Sequence, residues 1–132
     1  MKATETSRRG YRRRVVVLEV KITFRPPASF TTGAGAERLM LVGRTKNMSE
    51  TGAALVVSAR NIDRYLRAKD NTFDLELRLP DGAITLQAAA IYFSKTVIGS
   101  GATYLIGSRF IKANSQDHAR LATFLRSLPP PT

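Results

Sequence analysis

Residues Phe73–Gly82 read FDLELRLPDG. Phe73, Leu75, Leu77 and Leu79 alternate with Asp74, Glu76 and Arg78. A period of two turns one face to a core and the other to water. Pro80-Asp81-Gly82 then brings a locked φ, a side chain that bonds its own backbone, and a residue free to turn. A strand that runs straight into a tight turn pairs with its neighbour antiparallel. The stretch therefore points to antiparallel β structure.

Working outward, Ile84–Phe93 reads as the next strand, IGSG at 98–101 as a turn, and Ala102–Ile111 as the last strand. Upstream, Val15–Phe24 is rich in β-branched residues and reads as the first strand. Arg25-Pro26-Pro27 stops it, and Ala28–Glu37 is a Thr/Gly/Ala-rich loop. Arg38–Lys46 is a second strand, with Gly43 expected to mark a bulge. Asn47–Gly52 is a turn and Ala53–Ser58 a third strand. Asn61–Lys69 suits a turn or two of helix, with Ile62, Tyr65 and Leu66 on one side. The period changes after Asn114: Leu121, Phe124, Leu125 and Leu128 follow helical spacing. Asn114 or Ser115 can cap that helix, and Pro129-Pro130-Pro131 ends it. About six short strands and one amphipathic helix make the chain mainly β, an antiparallel barrel or sandwich with a C-terminal α-helix. The organisation expected is a basic arm over 1–14, a domain over 15–128 and a tail over 129–132.

The chain has 132 residues, a formal net charge of +11 and no cysteine. The size suits one domain, and the charge favours anionic partners such as nucleic acid, nucleotides or an acidic membrane face. The missing thiols rule out disulfides and thiol catalysis and fit a cytoplasmic setting. His118 is the sole histidine, which excludes a His-based metal cluster; it reads as a surface residue. No apolar run approaches the roughly 18 residues of a membrane span.

Ser7–Arg14, SRRGYRRR, packs five arginines into the seven residues from Arg8 to Arg14. An export signal would need an apolar stretch and a cleavage site behind it. Glu19 and Lys21 interrupt the apolar run, and no clean A-x-A site follows. Taken alone, the cluster reads as a solvated basic tail. It also holds Arg9-x-x-x-Arg13. Later, Asn47–Gly52 reads NMSETG, an Asn-x-Ser-x-x-Gly pattern; taken alone, this is an ordinary turn. The two patterns, in this order and with these strands, resemble the signature of the PilZ domain family. YLIGSRF at Tyr104–Phe110 is similar to that family's closing strand, and the terminal helix fits as well. The spacing between the motifs is somewhat long, with the excess in the Thr/Gly/Ala loop.

The resemblance implies a six-stranded antiparallel barrel with a C-terminal helix. It also implies a non-enzymatic bacterial receptor for cyclic di-GMP that relays a signal to an unidentified downstream protein, with no metal or cofactor. The ligand set it implies is Arg8, Arg9, Arg13, Asn47, Ser49 and Gly52, with Arg12, Arg14, Arg44 and Arg109 as further candidates. The residue types suit the ligand. A guanidinium is a planar, permanently charged fork of donors that meets phosphate bidentately and can address or stack on guanine. Asn47 and Ser49 offer short polar groups, and Gly52 admits positive φ or a close ligand. Arg8, beside the first motif arginine, bears on how many ligand molecules bind. The alternative is a small basic barrel for single-stranded nucleic acid. Such barrels use exposed aromatics as stacking platforms, whereas Tyr65, Phe93 and Tyr104 are patterned for core or rim.

Overall fold

The computed structural model describes residues 13–24 and 38–129. The elements are β1 (Arg14–Val15), β2 (Glu19–Phe24), β3 (Leu39–Met48), β4 (Gly52–Ala59), α1 (Asp63–Arg67), β5 (Thr72–Leu79), β6 (Gly82–Ile98), β7 (Gly101–Lys112) and α2 (Ser115–Arg126). Neighbours follow the order β1-β3-β2-β5-β6-β7-β4, and β3 also pairs with β4. That last pairing closes strands β2 to β7 into the expected six-stranded antiparallel barrel, with β1 added on the end of β3.

The alternation in β5 does what period two demands. Phe73, Leu75, Leu77 and Leu79 are buried. They form rows with the neighbouring strands, Ile22–Leu75–Leu86 and Val20–Leu77–Ile84. The Phe24 ring meets Phe73 at 5.1 Å and Tyr65 at 5.6 Å. The two-residue connections Leu79 to Gly82 and Ile98 to Gly101 are tight hairpins; Gly99 has positive φ within the second turn and Gly82 directly after the first. Ile62, just before α1, and Leu66 within it turn inward at the barrel mouth. There the Tyr104 hydroxyl accepts from Ile62 N (3.1 Å) and donates to Asp63 Oδ1 (2.5 Å). Asn114 caps α2 by accepting from Asp117 N at 2.7 Å, and Leu121 and Leu125 enter the core. Arg120 ties the helix to the β5–β6 turn through the Gly82 carbonyl and Asp81.

Three local expectations need correction. The first strand, read as continuous from Val15 to Phe24, is broken at 16–18. Thr45 explains the break. Its buried hydroxyl donates to Val16 O and accepts from Leu18 N, and its N–H donates to Leu18 O. A side chain thus takes the place of ladder partners. Second, the bulge in β3 lies between Thr45 and Asn47, not at Gly43. Gly43 is instead a close approach: a Cβ there would stand 2.4 Å from the Val56 carbonyl oxygen. Third, Asn47 and Met48 finish β3 and Gly52 opens β4, so the turn is only 49–51.

Candidate functional site

The bulge at Lys46 resets the alternation of β3. Thr45 and Met48 point inward, while Arg44 and Asn47 stand on the outer side. Asn47 begins a row that crosses the wall through Ala54 on β4 and Gly107 on β7 to Tyr92 on β6. Directly opposed residues share a face, so these four lie on the outside together. Arg44 faces Val56, and Arg109 stands opposite Gly52. Neither arginine makes an ion pair among the described residues.

The arm enters at the same place. β1 pairs with the last residues of β3, with Val15 opposite Asn47 and Arg14 opposite Met48. Just before it, Arg13 Nη1 donates to Asn47 Oδ1 at 2.8 Å. The second arginine of the RxxxR pattern is therefore joined to the first residue of NxSxxG, across 34 positions of sequence. Arg14 reaches the opposite way. Its guanidinium donates to the carbonyls of Leu128 (3.1 Å) and Pro129 (3.0 Å), just beyond α2. A cation at a helix C-terminus meets the negative end of the dipole. Arg8, Arg9 and Arg12 lie outside the described residues.

Ser49 and Gly52 serve the turn before they serve a ligand. Ser49 is buried, and its Oγ accepts from Thr51 N at 3.2 Å and shares a bond with Thr51 Oγ1. Its N–H donates to Gly52 O, and Phe110 N donates to Thr51 O, both at 2.8 Å. Gly52 has no positive φ. It is glycine because a Cβ would lie 2.3 Å from the Ser108 carbonyl oxygen. The close approach seen here is between strands.

Sequence reasoning passed over Tyr92. In β6 the inward series Ile84, Leu86, Ala88 and Ala90 would carry on to 92, but a register shift between Ala90 and Tyr92 turns Tyr92 outward. Only the long β6 hinted at such an irregularity. Near it, a cleft of about 520 Å³ is lined by Asp63, Arg67, Asn71, Phe93 and Lys95 among others. Its polar groups are engaged with one another. Lys95 sits 3.4 Å from Asp63, and Arg67 lies over the Phe93 ring at 5.4 Å. His118 is exposed on α2. Among the described residues, no group of His, Asp or Glu could hold a metal ion, and no helix is long and apolar enough to cross a membrane.

No family model and no curated protein matches the chain. Solved structures do. The PilZ domain of Escherichia coli YcgR, solved with cyclic di-GMP, aligns with a TM-score of 0.60 at 16% identity, over 90% of each chain. The complex of K. pneumoniae MrkH with cyclic di-GMP aligns at 0.61 and 18%, over 88% of this chain and 49% of that one. The Bacillus subtilis inhibitor of motility MotI aligns at 0.58 and 18%, over 90% of this chain. This chain spans about half the length of MotI. At such identities the likeness speaks for the fold, and the fold is that of a PilZ-like domain.

Proposed function

We propose that the chain is a non-enzymatic receptor for cyclic di-GMP, bound on the outer wall where the arm meets the 49–51 turn. The observation that carries this reading is the hydrogen bond from Arg13 to Asn47. It brings the two halves of the motif pair to one point, with Arg44 and Arg109 on the same side of the barrel. In this reading Arg13, Arg9 and Arg8 hold the phosphates or address the guanines, with Arg12 and Arg14 as further phosphate contacts. Asn47 presents its amide to the ligand. Ser49 and Gly52 contribute by holding the turn in shape.

The chemistry favours exchange of partners at Arg13. Its present acceptor is a neutral amide oxygen. A phosphodiester offers a charge-assisted, bidentate alternative, about twice as strong per bond. Ligand binding would therefore draw Arg13 off Asn47. Arg14, the next residue, is bonded to the carbonyls beyond α2, so the same event would be felt at the C-terminal helix. That is the route we assign to the signal, which a cytoplasmic protein partner would read. Titration calorimetry with cyclic di-GMP tests the reading. The wild type is expected to bind at micromolar concentration or below, and the Arg9→Ala/Arg13→Ala double variant at least about tenfold more weakly, the loss expected of charge-assisted bonds worth roughly 1.5–3 kcal/mol each. Undiminished affinity in the double variant would remove the arm from the site. Oligonucleotide binding that falls steeply with salt, with none of the dinucleotide, would favour the nucleic-acid alternative.

A further inference from the structure

We infer that the open edge of β6 beyond Ala90 takes an extended, acidic segment of a partner protein, which adds a strand beside α1. This inference does not depend on the cyclic di-GMP reading. It begins with a ladder that stops. β5 pairs with β6 only as far as Thr72 and Ala89. Asn71 closes that ladder: its carbonyl accepts from Ala90 N at 3.4 Å, and its side-chain amide donates to Ala90 O at 2.6 Å. β6 runs on to Ile98, paired there with β7 alone among the described residues. Alternate residues of an antiparallel strand turn both backbone groups to the same side. The pair that closes the two-residue hairpin is Ile98 with Gly101, and such a pair bonds within the hairpin. Thr96 and Ser94 therefore bond to β7, while Val97, Lys95 and Phe93 aim their N–H and C=O groups at the open side. Lys95 agrees with this. Its side chain is only 27% exposed, yet the residue as a whole is exposed, so its main chain is open to water.

The surroundings suit a strand. The cleft of about 520 Å³ lies along this edge, between Leu66 and Arg67 of α1 and Ile91, Phe93 and Lys95 of β6. Ile91, Val97 and Ile98 are all more than half exposed. An added strand would recover the unused backbone hydrogen bonds, and its alternate side chains would enter the cleft.

Charge chooses the occupant. Lys95 is opposite the buried Tyr104 and shares its inward face. Its ammonium lies 5.7 Å from the Tyr104 ring and 3.4 Å from Asp63 Oδ1. A lysine pointing inward from an edge strand works against edge-to-edge pairing of like copies. Two copies paired here would bring these cations together, and each chain carries a formal +11. An acidic strand meets the reverse situation. A glutamate opposite Lys95 would join Asp63 on the ammonium. One opposite Phe93 would come near the Arg67 guanidinium, which lies 5.4 Å over that ring. The occupant is therefore a stretch of another protein with β-branched residues and carboxylates at alternate positions.

The test is NMR of the wild-type protein with three heptapeptides. The first is built of valine and threonine with glutamates opposite Lys95 and Phe93. The second carries lysines in their place, and the third is the glutamate peptide N-methylated at alternate residues. In the free protein the amides of Phe93, Lys95 and Val97 should exchange with solvent at least about tenfold faster than those of Ser94 and Thr96, which are bonded to β7. The glutamate peptide is expected to bind with a Kd below about 1 mM and to slow exchange at those three amides. The lysine peptide should bind about tenfold more weakly, and the N-methylated one not at all. Lys95→Ala should narrow the preference for glutamate. No binding by the glutamate peptide, equal binding by the lysine peptide, or binding that leaves those three amides unchanged would overturn the inference. Slow exchange at the three amides in the free protein would also overturn it, because the edge would already be covered; sedimentation would then assign the cover to a second copy or to the chain itself.

Discussion

Both sides of the barrel bury large side chains, but only one also depends on close backbone approaches over glycine. Across β2, β5 and β6, large apolar residues meet in rows such as Ile22–Leu75–Leu86, with the paired rings of Phe24 and Phe73 at one end. Across β3, β4 and β7, rows such as Leu55–Ile106 face the core, and close approaches over glycines draw the strands together. Gly43 lies under the Val56 carbonyl, Gly52 under the Ser108 carbonyl and Gly107 under the Tyr92 ring. The buried Ser108 hydroxyl donates to Ala53 O at 2.8 Å. The difference teaches that one wall tolerates changes of side-chain size, at a cost in stability, and the other, at its glycines, does not tolerate even a methyl without a shift of backbone. On the outer row of this wall Ala54 and Gly107 are both buried, the glycine beneath the Tyr92 ring.

The strongest way to break this comparison is on the side-chain wall. Leu75→Ala should cost about 2–5 kcal/mol in urea unfolding, the usual range for a fully buried leucine. A cost under about 1 kcal/mol would mean that this wall is not held by its rows. Next comes Gly52→Ala, which drives a methyl against the Ser108 carbonyl. It should cost about 1–3 kcal/mol and shift the amide resonances of Ser108 and Phe110. An unchanged stability would show that the backbone contact on this wall is slack. The smallest effect sharpens the picture at the barrel mouth. The Tyr104 hydroxyl, helped by Lys95, holds the Asp63 carboxyl below its ordinary value despite partial burial. A carboxylate with a lowered folded-state value stabilises the fold above its unfolded-state value and loses that contribution as pH falls through the folded-state one. The difference in melting temperature between wild type and Asp63→Asn should therefore be full near neutral pH and shrink below about pH 4. A gap independent of pH would show that the carboxylate's charge plays no part.

The side-chain wall was open to reading from the sequence because it obeys a period. Phe73 to Leu79 alternate, and Leu121 and Leu125 follow a helix. The backbone wall was harder. Asn47 and Ser49 were legible as a motif, and Arg13 meets Asn47 in the structure. Gly52 does not use the positive φ allowed for it; its constraint in the fold comes from β7, more than fifty residues away in sequence. Tyr92 escaped notice because its outward position depends on a register shift, and one extra residue inverts every inference drawn from alternation. The strand break at 16–18 escaped for a related reason: a single hydroxyl, Thr45, substitutes for ladder bonds there.

That hydroxyl also sets a leash. Because Thr45 pins the backbone at Val16 and Leu18, and Arg13 is bonded to Asn47, residues 13–18 are held against the end of β3 before β2 begins. Arg9 is only four residues further on, and four residues of chain extend at most roughly 14 Å. In the proposed site, that covalent limit would lower the entropy cost of bringing both arginines to one ligand.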